Sequence, residues 1–241
     1  MRIVACLNGD RRPGSHPALP ISVGQLVEDA RTAVAAGATE LHIHPHDATG
    51  AQSLEPQVLT PLLLELRAVL PKTPISVTTS LSAEPDAWRR FDMVQRWGEL
   101  PDSATVNLHE PGSVEIARLL IDRRVGVEAG LWSVDAARIL AASGLVSGFT
   151  HVLVEPEGAT AGEALGNAER IDAVLDHAEI ELPRLLHGKD DTVWAVLDTA
   201  IASGRDVRIG LEDTLTGPEG EEVESNAALV EMAVARMAAM A

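Results

Sequence analysis

Short apolar runs rich in β-branched residues alternate along this chain with longer amphipathic runs rich in Ala, Leu and Glu. The short runs have the length of strands, and the long runs repeat their apolar positions at helical spacing. The pattern predicts eight strands, at residues 2–7, 40–44, 74–79, 104–107, 125–128, 151–154, 182–186 and 206–211. It predicts one helix after each strand, at residues 22–36, 56–69, 84–98, 113–123, 133–142, 161–178, 191–202 and 225–240.

This order of elements indicates an α/β protein with the fold of a (β/α)8 TIM barrel. Eight strand-then-helix units of about 30 residues each match that fold, whose active sites lie at the C-terminal ends of the strands. An open, doubly wound sheet is the alternative, but no glycine-rich phosphate-binding loop follows any predicted strand. No linker or low-complexity segment divides the sequence, so a single barrel domain is expected over residues 1–241.

The second predicted strand ends in a histidine at every second position: His42, His44 and His46. Because side chains alternate along a strand, His42 and His44 share a face and lie about 6–7 Å apart. Two imidazoles so placed suit a divalent metal, zinc above all. Histidines satisfied at a strand end are the alternative interpretation. His46 is the third choice as a ligand, because Pro45 disturbs the strand just before it.

The eighth predicted strand supplies a candidate third ligand. It closes against the first strand, and its alternation places Arg208, Gly210 and Glu212 on the inward face. Glu212 then reaches an ion held by the two histidines, and two histidines with one carboxylate leave positions open for substrate or water. An acid at a helix N-terminus is the alternative for Glu212. A buried Arg208 requires a partner such as Glu128 or Asp213, or an anionic substrate.

Other polar residues follow the strands at the same end of the predicted barrel. Asp213 is a candidate general base, with a solvated loop acid as the alternative. Asp10 is a candidate substrate contact, a partner to a histidine, or an Asx turn. The hydroxyl and amide groups that end the third and fourth strands are candidates for binding substrate: Thr78, Thr79, Thr105 and Asn107. His109, His187 and Lys189 are expected to line the same opening.

Composition narrows the function classes. The net charge is -17, which argues against nucleic acids and anionic membranes, since phosphate binding depends on clustered Lys and Arg. Cys6 is the one cysteine, so no disulfide framework is possible and a cytoplasmic location is expected. We expect no signal peptide and no membrane span, because no apolar run reaches about 18 residues. The Ala- and Met-rich last helix leaves a homo-oligomer possible.

Several stretches together resemble the β-keto acid cleavage enzymes, the family that includes 3-keto-5-aminohexanoate cleavage enzyme. The resemblance runs from the first strand to the last helix and is most specific in the His-X-His and Arg-X-Gly-X-Glu-Asp stretches. The stretches are Ala5-Cys6-Leu7-Asn8-Gly9, His16-Pro17-Ala18-Leu19-Pro20-Ile21, Ala36-Gly37-Ala38, Leu41-His42-Ile43-His44, Arg208-Ile209-Gly210-Leu211-Glu212-Asp213 and Glu224-Ser225-Asn226-Ala227.

The resemblance implies a zinc-dependent acyltransferase that condenses a β-keto acid with acetyl-CoA, giving acetoacetate and a new acyl-CoA. It implies one zinc ion per chain, held by His42, His44 and Glu212. It assigns proton abstraction to Asp213, working with Arg208, and it carries the strand-4 Thr and the strand-5 acid over as Thr105 and Glu128. Removal of the proton α to the ketone would give an enolate that attacks the thioester, and a retro-Claisen step would release acetoacetate.

The chain also departs from the family pattern, and two alternatives follow. The third strand ends Thr78-Thr79-Ser80-Leu81 where the family reads Ser-Thr-Gly-Gly. The family's long glycine- and proline-rich segment after strand 6 is replaced by Glu155-Pro156-Glu157-Gly158, and its glycine-arginine turn after strand 7 by His187-Gly188-Lys189-Asp190. One alternative is another zinc-dependent lyase, aldolase or hydrolase acting on a small keto acid without CoA. The other is a non-catalytic metabolite-binding barrel, against which a base beside the metal ligand argues. The identity of the keto acid is not readable from the sequence.

Overall fold

The computed structural model describes residues 1–240 and contains all eight predicted pairs of strand and helix. The strands are β1 Ile3–Cys6, β2 Glu40–Ile43, β3 Ile75–Thr78, β4 Ser103–Asn107, β5 Gly126–Leu131, β6 Phe149–Val154, β7 Arg184–Leu186 and β8 Val207–Ile209. The helices are α1 Val23–Ala35, α2 Pro56–Val69, α3 Ala87–Gln95, α4 Ser113–Asp122, α5 Val134–Ala142, α6 Ala161–His177, α7 Val193–Ala202 and α8 Asn226–Met240.

The strands form one parallel sheet in the order β7-β6-β5-β4-β3-β2-β1-β8. The two end strands meet where Leu185 bridges Asp206, and the Leu186 N–H donates to the Asp206 carbonyl at 3.3 Å. The sheet therefore curls into a nearly closed barrel with helices alternating between its strands. This confirms the (β/α)8 TIM barrel predicted from the order of elements.

The main apolar core lies between the barrel wall and the helices. Outward-facing strand residues such as Leu41, Ile43, Val207 and Ile209 are fully buried there. They alternate with the inward-facing residues, as the period of a strand requires. A second apolar cluster of four residues lies apart from the main core: Val4, Cys6, Leu153 and Leu185.

The inward-facing residues of this barrel are mostly polar. An ordinary barrel interior is instead filled by layers of branched apolar side chains. The strands carry buried residues that are charged or hydrogen-bonding: Glu40, His42, Ser76, Thr78, Ser103, Glu128, His151 and Arg208. Buried polar groups of this kind are stable only when they are hydrogen-bonded to one another. The strands therefore supply a connected polar network, and this network supports the candidate site.

The eighth predicted strand ends earlier than expected, with consequences for the site. The eighth strand was expected over residues 206–211 and ends at Ile209, where the backbone turns so that the N–H groups of Asp213 and Thr214 donate to the Gly210 carbonyl. Gly210 allows this turn because a Cβ there would lie 1.9 Å from the Cys6 carbonyl oxygen. Glu212 consequently reaches inward from a turn beyond the strand, and its own N–H donates to Cys6.

The helix boundaries follow from capping. Ser22 caps α1 in a capping box with Gln25, as the sequence predicted for Ser22. The third helix was expected from residue 84 and begins at Ala87, because the Asp86 side chain accepts from the Arg89 N–H and caps it there. Among the described residues, no helix combines the length and the apolarity that crossing a membrane requires.

Candidate active site

His42, His44 and Glu212 converge at the C-terminal end of the barrel. The Nε2 atoms of His42 and His44 lie 3.9 and 3.7 Å from the Glu212 carboxylate oxygens Oε2 and Oε1. The two rings are 5.3 Å apart at 78°. One donor atom from each of the three residues lies within 4.8 Å of the others. The sequence placed these three residues together, and the structure does so too.

Both histidines present Nε2 to this cluster because their Nδ1 atoms are engaged elsewhere. His42 Nδ1 lies 3.2 Å from the Ser76 hydroxyl, and His44 Nδ1 lies 2.8 Å from Gln52 Oε1. Burial lowers the pKa of His42 to about 4, so its ring is neutral at physiological pH. A neutral imidazole held at one nitrogen and free at the other is the form that coordinates a metal ion.

Glu212 is held in place by the start of the last helix and by a glycine. Asn226 accepts from the Leu211 N–H at 2.7 Å and donates to the Leu7 carbonyl at 2.8 Å, which ties the turn after β8 to the end of β1. Gly9 has φ of +60°, and a Cβ there would lie 2.3 Å from the Glu212 side chain. A side chain at position 9 would therefore occupy the space that the Glu212 side chain fills.

Arg208 joins both acids of this turn. Its Nη2 atom donates to Glu212 Oε1 at 2.5 Å and to Asp213 Oδ1 at 2.9 Å. Burial alone would raise the pKa of Glu212, but Arg208, His44 and His42 together hold it well below its usual range. The predicted partner Asp213 is thus confirmed for Arg208, whereas Glu128 is not among its hydrogen-bond partners.

Asp213 is buried beside this ion pair, outside the residues that line the open cavity. Burial raises the pKa of Asp213 to about 6, against the opposing charge of Arg208. Its Oδ2 atom has no hydrogen-bond partner among the described residues. His187 lies behind it, with Nδ1 3.8 Å from Asp213 Oδ1 and Nε2 3.5 Å from Glu155 Oε2. His187 is therefore a buried neighbour of Asp213 instead of the lining residue that was expected.

A cavity of about 190 Å³ opens onto the three-residue cluster. It is lined by the predicted site residues Asp10, His42, His44, Thr78, Thr105, Asn107, Arg208 and Glu212, and by His109 and Lys189. Asp10 accepts from Lys189 Nζ at 3.4 Å, so these two residues pair at the opening. The cavity is wide enough for a small organic acid.

Like Asp213, the predicted residues Thr79 and Glu128 lie outside the cavity lining. Thr79 faces away from Thr78, as alternation along β3 requires, and its hydroxyl donates to the Thr105 carbonyl at 2.7 Å. Glu128 is 3% exposed and accepts hydrogen bonds from three hydroxyl groups. Burial raises the pKa of Glu128, but His151, His42 and the hydroxyls of Ser103 and Thr105 together lower it, so it is a carboxylate.

Sequence reasoning overlooked several lining residues, which are Ser82, Glu110, Trp132, Leu153 and Glu155. Alternation along β6 offered a signal for Glu155, because it stands two positions after the inward Leu153. Glu110 accepts from Asn107 Nδ2 and from the Leu81 N–H, both at 2.9 Å, and pairs with buried Arg90 at 3.2 Å. No local sequence pattern predicts an ion pair between residues of separate elements.

A family model described as beta-keto acid cleavage enzyme matches residues 1–241, the entire sequence. The chain belongs to the β-keto acid cleavage enzyme family. This confirms the resemblance drawn from the His-X-His and Arg-X-Gly-X-Glu-Asp stretches. No curated protein matches the sequence.

Solved structures agree with the fold of this β-keto acid cleavage family member. A ternary complex of ObcA with a C4-CoA adduct and oxalate aligns at a TM-score of 0.72 and 15% identity, covering 92% of this chain and 64% of that one. A binary complex of ObcA with oxaloacetate aligns at 0.70 and 15%, covering 91% and 63%. A type I 3-dehydroquinate dehydratase from Clostridium difficile aligns at 0.68 and 10%, covering 99% and 92%. The chain thus spans less than two thirds of the length of ObcA.

Proposed function

We propose that this chain is a zinc-dependent acyltransferase that condenses a β-keto acid with acetyl-CoA, giving acetoacetate and a new acyl-CoA. The observation that carries the proposal is the cluster of His42, His44 and Glu212 facing a small cavity, with the Arg208–Asp213 pair directly behind it. Family membership supports the reaction. The ObcA complexes, one with oxaloacetate and one with a C4-CoA adduct, agree with a keto acid and a thioester as substrates.

The residues present fit a zinc ion. Two imidazole nitrogens and one carboxylate are a usual set of ligands for catalytic zinc, and they leave a position open. Glu212 Oε2 is buried without a hydrogen-bond partner among the described residues, as expected of an oxygen that a cation would satisfy. When bound, zinc supplies the positive charge that polarises the oxygens of the keto acid and so lowers the pKa of the proton on the α-carbon.

The chain's own residues then provide the base and its orientation. We assign the removal of the proton α to the ketone to Asp213, whose Oδ1 is fixed by Arg208 and whose Oδ2 has no partner. A carboxylate with a pKa of about 6 is a useful base near neutral pH. We assign substrate binding to Thr78, Asn107 and Asp10, which line the cavity that His42, His44 and Glu212 face.

The reaction balances without any further reagent. The α-carbanion attacks the acetyl carbonyl of acetyl-CoA, forming a C–C bond and expelling the CoA thiolate. The thiolate attacks the original ketone carbon, and cleavage of the bond between that carbon and the α-carbon gives the new acyl-CoA. The electron pair left on the α-carbon takes back the proton from Asp213, which yields acetoacetate.

The test is turnover by the zinc-loaded protein of a panel of β-keto acids, with and without acetyl-CoA, followed by mass spectrometry of both products. We expect about one zinc per chain by elemental analysis and product formation only with acetyl-CoA. Glu212→Gln should lose activity by at least about 100-fold, the upper end of what removing a hydrogen-bond partner of a ligand costs. The matched control is Glu222→Gln, an exposed acid that should leave activity unchanged.

The same experiment tests a second candidate, a lyase or hydrolase that acts on a keto acid without CoA. Its support is the replacement of the family's segments after strands 6 and 7, together with a small cavity of about 190 Å³. Consumption of a β-keto acid at the same rate without thioester would favour this candidate and reject the acyltransferase. A protein that takes up no zinc would reject both.

A further inference from the structure

Glu128 lies inside the barrel and does not line the cavity, and its hydrogen-bond donors are three hydroxyl groups. Ser76 Oγ and Thr105 Oγ1 donate to its Oε2 atom at 2.9 and 2.7 Å, and Ser103 Oγ donates to its Oε1 atom at 2.5 Å. All of these groups except the partly buried Thr105 are buried. Glu128 can therefore act on the site only through another residue, and Ser76 provides that connection.

The direction of the hydrogen bonds along this path is fixed by chemistry. Glu128 is a carboxylate and can only accept, so the single hydroxyl hydrogen of Ser76 is used in the bond to Glu128. The Ser76 oxygen then has only lone pairs left for His42 Nδ1, 3.2 Å away. His42 must donate from Nδ1, which leaves the lone pair of its ring on Nε2, the nitrogen that faces Glu212.

We propose that Ser76 and Glu128 act together as positioning residues that fix His42 in the Nδ1–H tautomer and hold its Nε2 lone pair toward the metal site. The inference rests on the proposed zinc site and gives Glu128 a role without contact to substrate. A carboxylate that holds a zinc-bound histidine directly is a common arrangement. Here Ser76 on β3 stands between the carboxylate and the histidine. It connects Glu128 on β5 to His42 on β2, since the strands lie in the order β2-β3-β4-β5.

His44 provides an internal comparison. Its Nδ1 atom meets the neutral amide oxygen of Gln52, which is only partly buried. The two ligands are therefore oriented by acceptors of different strength, one backed by a buried charge and one neutral. The relay through Ser76 is expected to affect zinc affinity more than the Gln52 contact does, because a hydrogen-bond chain that ends in a charge is stronger.

The test is zinc affinity, measured on protein stripped of metal by competition with a chromophoric chelator. We expect Ser76→Ala to weaken zinc binding by at least about 10-fold. The matched control is Ser103→Ala, which removes another hydroxyl from the same carboxylate but does not touch His42. Unchanged affinity in Ser76→Ala, or an equal loss in both variants, would overturn the relay.

A reversal of polarity gives a second test. Glu128→Gln keeps the shape but can donate from its amide to Ser76, which would turn the serine hydrogen toward His42 and favour the Nε2–H tautomer. We expect this variant to bind zinc at least as weakly as Ser76→Ala, and the double variant to be no weaker than the worse single one. Additive losses would mean that the two residues act separately and would contradict the proposal.

The tautomer itself is measured on the unaltered protein, so the proposal does not depend on a variant that folds. Long-range ¹H–¹⁵N correlations of the His42 ring in the metal-free protein should show the proton on Nδ1 between pH 6 and 8. A proton on Nε2 would overturn the relay. This measurement is independent of the proposed function: protein that never binds zinc would reject the enzyme proposal, while the tautomer still decides whether Ser76 and Glu128 orient His42.

Discussion

Asp29 on α1 helps to hold the candidate site in place through Asn226, and its burial makes the stability of the protein depend on pH. Its Oδ2 accepts from Asn226 Nδ2 at 2.6 Å, and Asn226 in turn ties the turn after β8 to β1. Burial raises the pKa of Asp29 to about 7, although the hydrogen bond from Asn226 lowers it. The native state therefore holds a proton that the unfolded chain, with the usual pKa of about 3.9, has already lost.

The sign of the consequence follows from linkage. Where the native state binds more protons than the unfolded state, the free energy of unfolding falls as pH rises, here between about pH 4 and 7. Asp29→Asn removes this titration and keeps the acceptor oxygen. The variant should gain stability over the wild type as pH rises, by less than about 4 kcal/mol because Asp29 is partly exposed to solvent.

Urea unfolding of the metal-free protein at several pH values from 5 to 8 would measure this difference. Glu28→Gln is the matched control, because the neighbouring Glu28 is exposed and pairs with Arg31 on the surface. A difference between Asp29→Asn and wild type that is constant across this range would show that Asp29 does not carry the shift.

At the same scale, the sequence located the residues that share a strand face and missed those brought together from separate elements. His42 and His44 were found by alternation along the second strand, and Glu212 by alternation along the eighth. Ser76 could not be singled out, because a serine inside a strand has no local signature of a partner. Its importance depends on the register that sets His42 beside Ser76 across β2 and β3.

At the scale of elements, the end of β8 decides whether the site exists. The strand was expected to continue to residue 211, but Gly210 passes so close to β1 that the chain turns and delivers Glu212 and Asp213 to Arg208. The alternation of residue types predicts which face of a strand a side chain lies on. It does not predict where two backbones approach closely, so the early end of β8 was missed. The alternation argument still gave the right neighbours, since Val207, Ile209 and Leu211 are all buried in the outer core.

Gly210→Ala is expected to be severely destabilising. The added Cβ would lie 1.9 Å from the Cys6 carbonyl oxygen, a backbone atom that cannot move without displacing β1. We expect a loss of about 3 kcal/mol or more, in the range that backbone strain and overpacking produce. Thermal and urea unfolding would measure it.

The control for this substitution is Gly24→Ala in α1. A Cβ at Gly24 meets nothing within 4 Å, and alanine is the better helix former, so this variant should be more stable by about 0.5–1 kcal/mol. If Gly210→Ala matched wild type in stability and zinc binding, the close approach to β1 would not be what shapes the turn.

For the whole molecule, the order of eight units was enough to give the barrel and to place the site at one end of it. The expected pairing of the eighth strand with the first is present in full. The seam between β7 and the residue before β8 is weaker, with one bridge and one hydrogen bond, and no sequence pattern indicated that difference. The polar interior was also only partly foreseen. Glu40, Ser103 and His151 are buried without lining the cavity. Ser103 donates to Glu128 on β5, and His151 lies 3.9 Å from the same carboxylate. Glu40 accepts from Arg2 just before β1.

The proposed metal ligands lie on both sides of β1, which leads to a prediction about the molecule as a whole. His42 lies on β2 and Glu212 follows β8, so a zinc ion would join the two strands that flank β1. Zinc that binds only the folded state stabilises it by about 4 kcal/mol at 1,000 times the dissociation constant. We therefore expect zinc to raise the melting temperature of the metal-free wild type, and to leave that of Glu212→Gln nearly unchanged.

The stabilisation should also be local. Amide hydrogen exchange in the presence of zinc should slow most in β1, β2 and the turn from Gly210 to Asp213, which the ion would hold together, and least in α4 and β5 on the opposite wall. This pattern distinguishes the assigned ligands from nonspecific binding to an acidic surface of net charge -17, which would protect scattered carboxylate-rich segments instead. Protection confined to the exposed helices would place the zinc elsewhere and reject His42, His44 and Glu212 as its ligands.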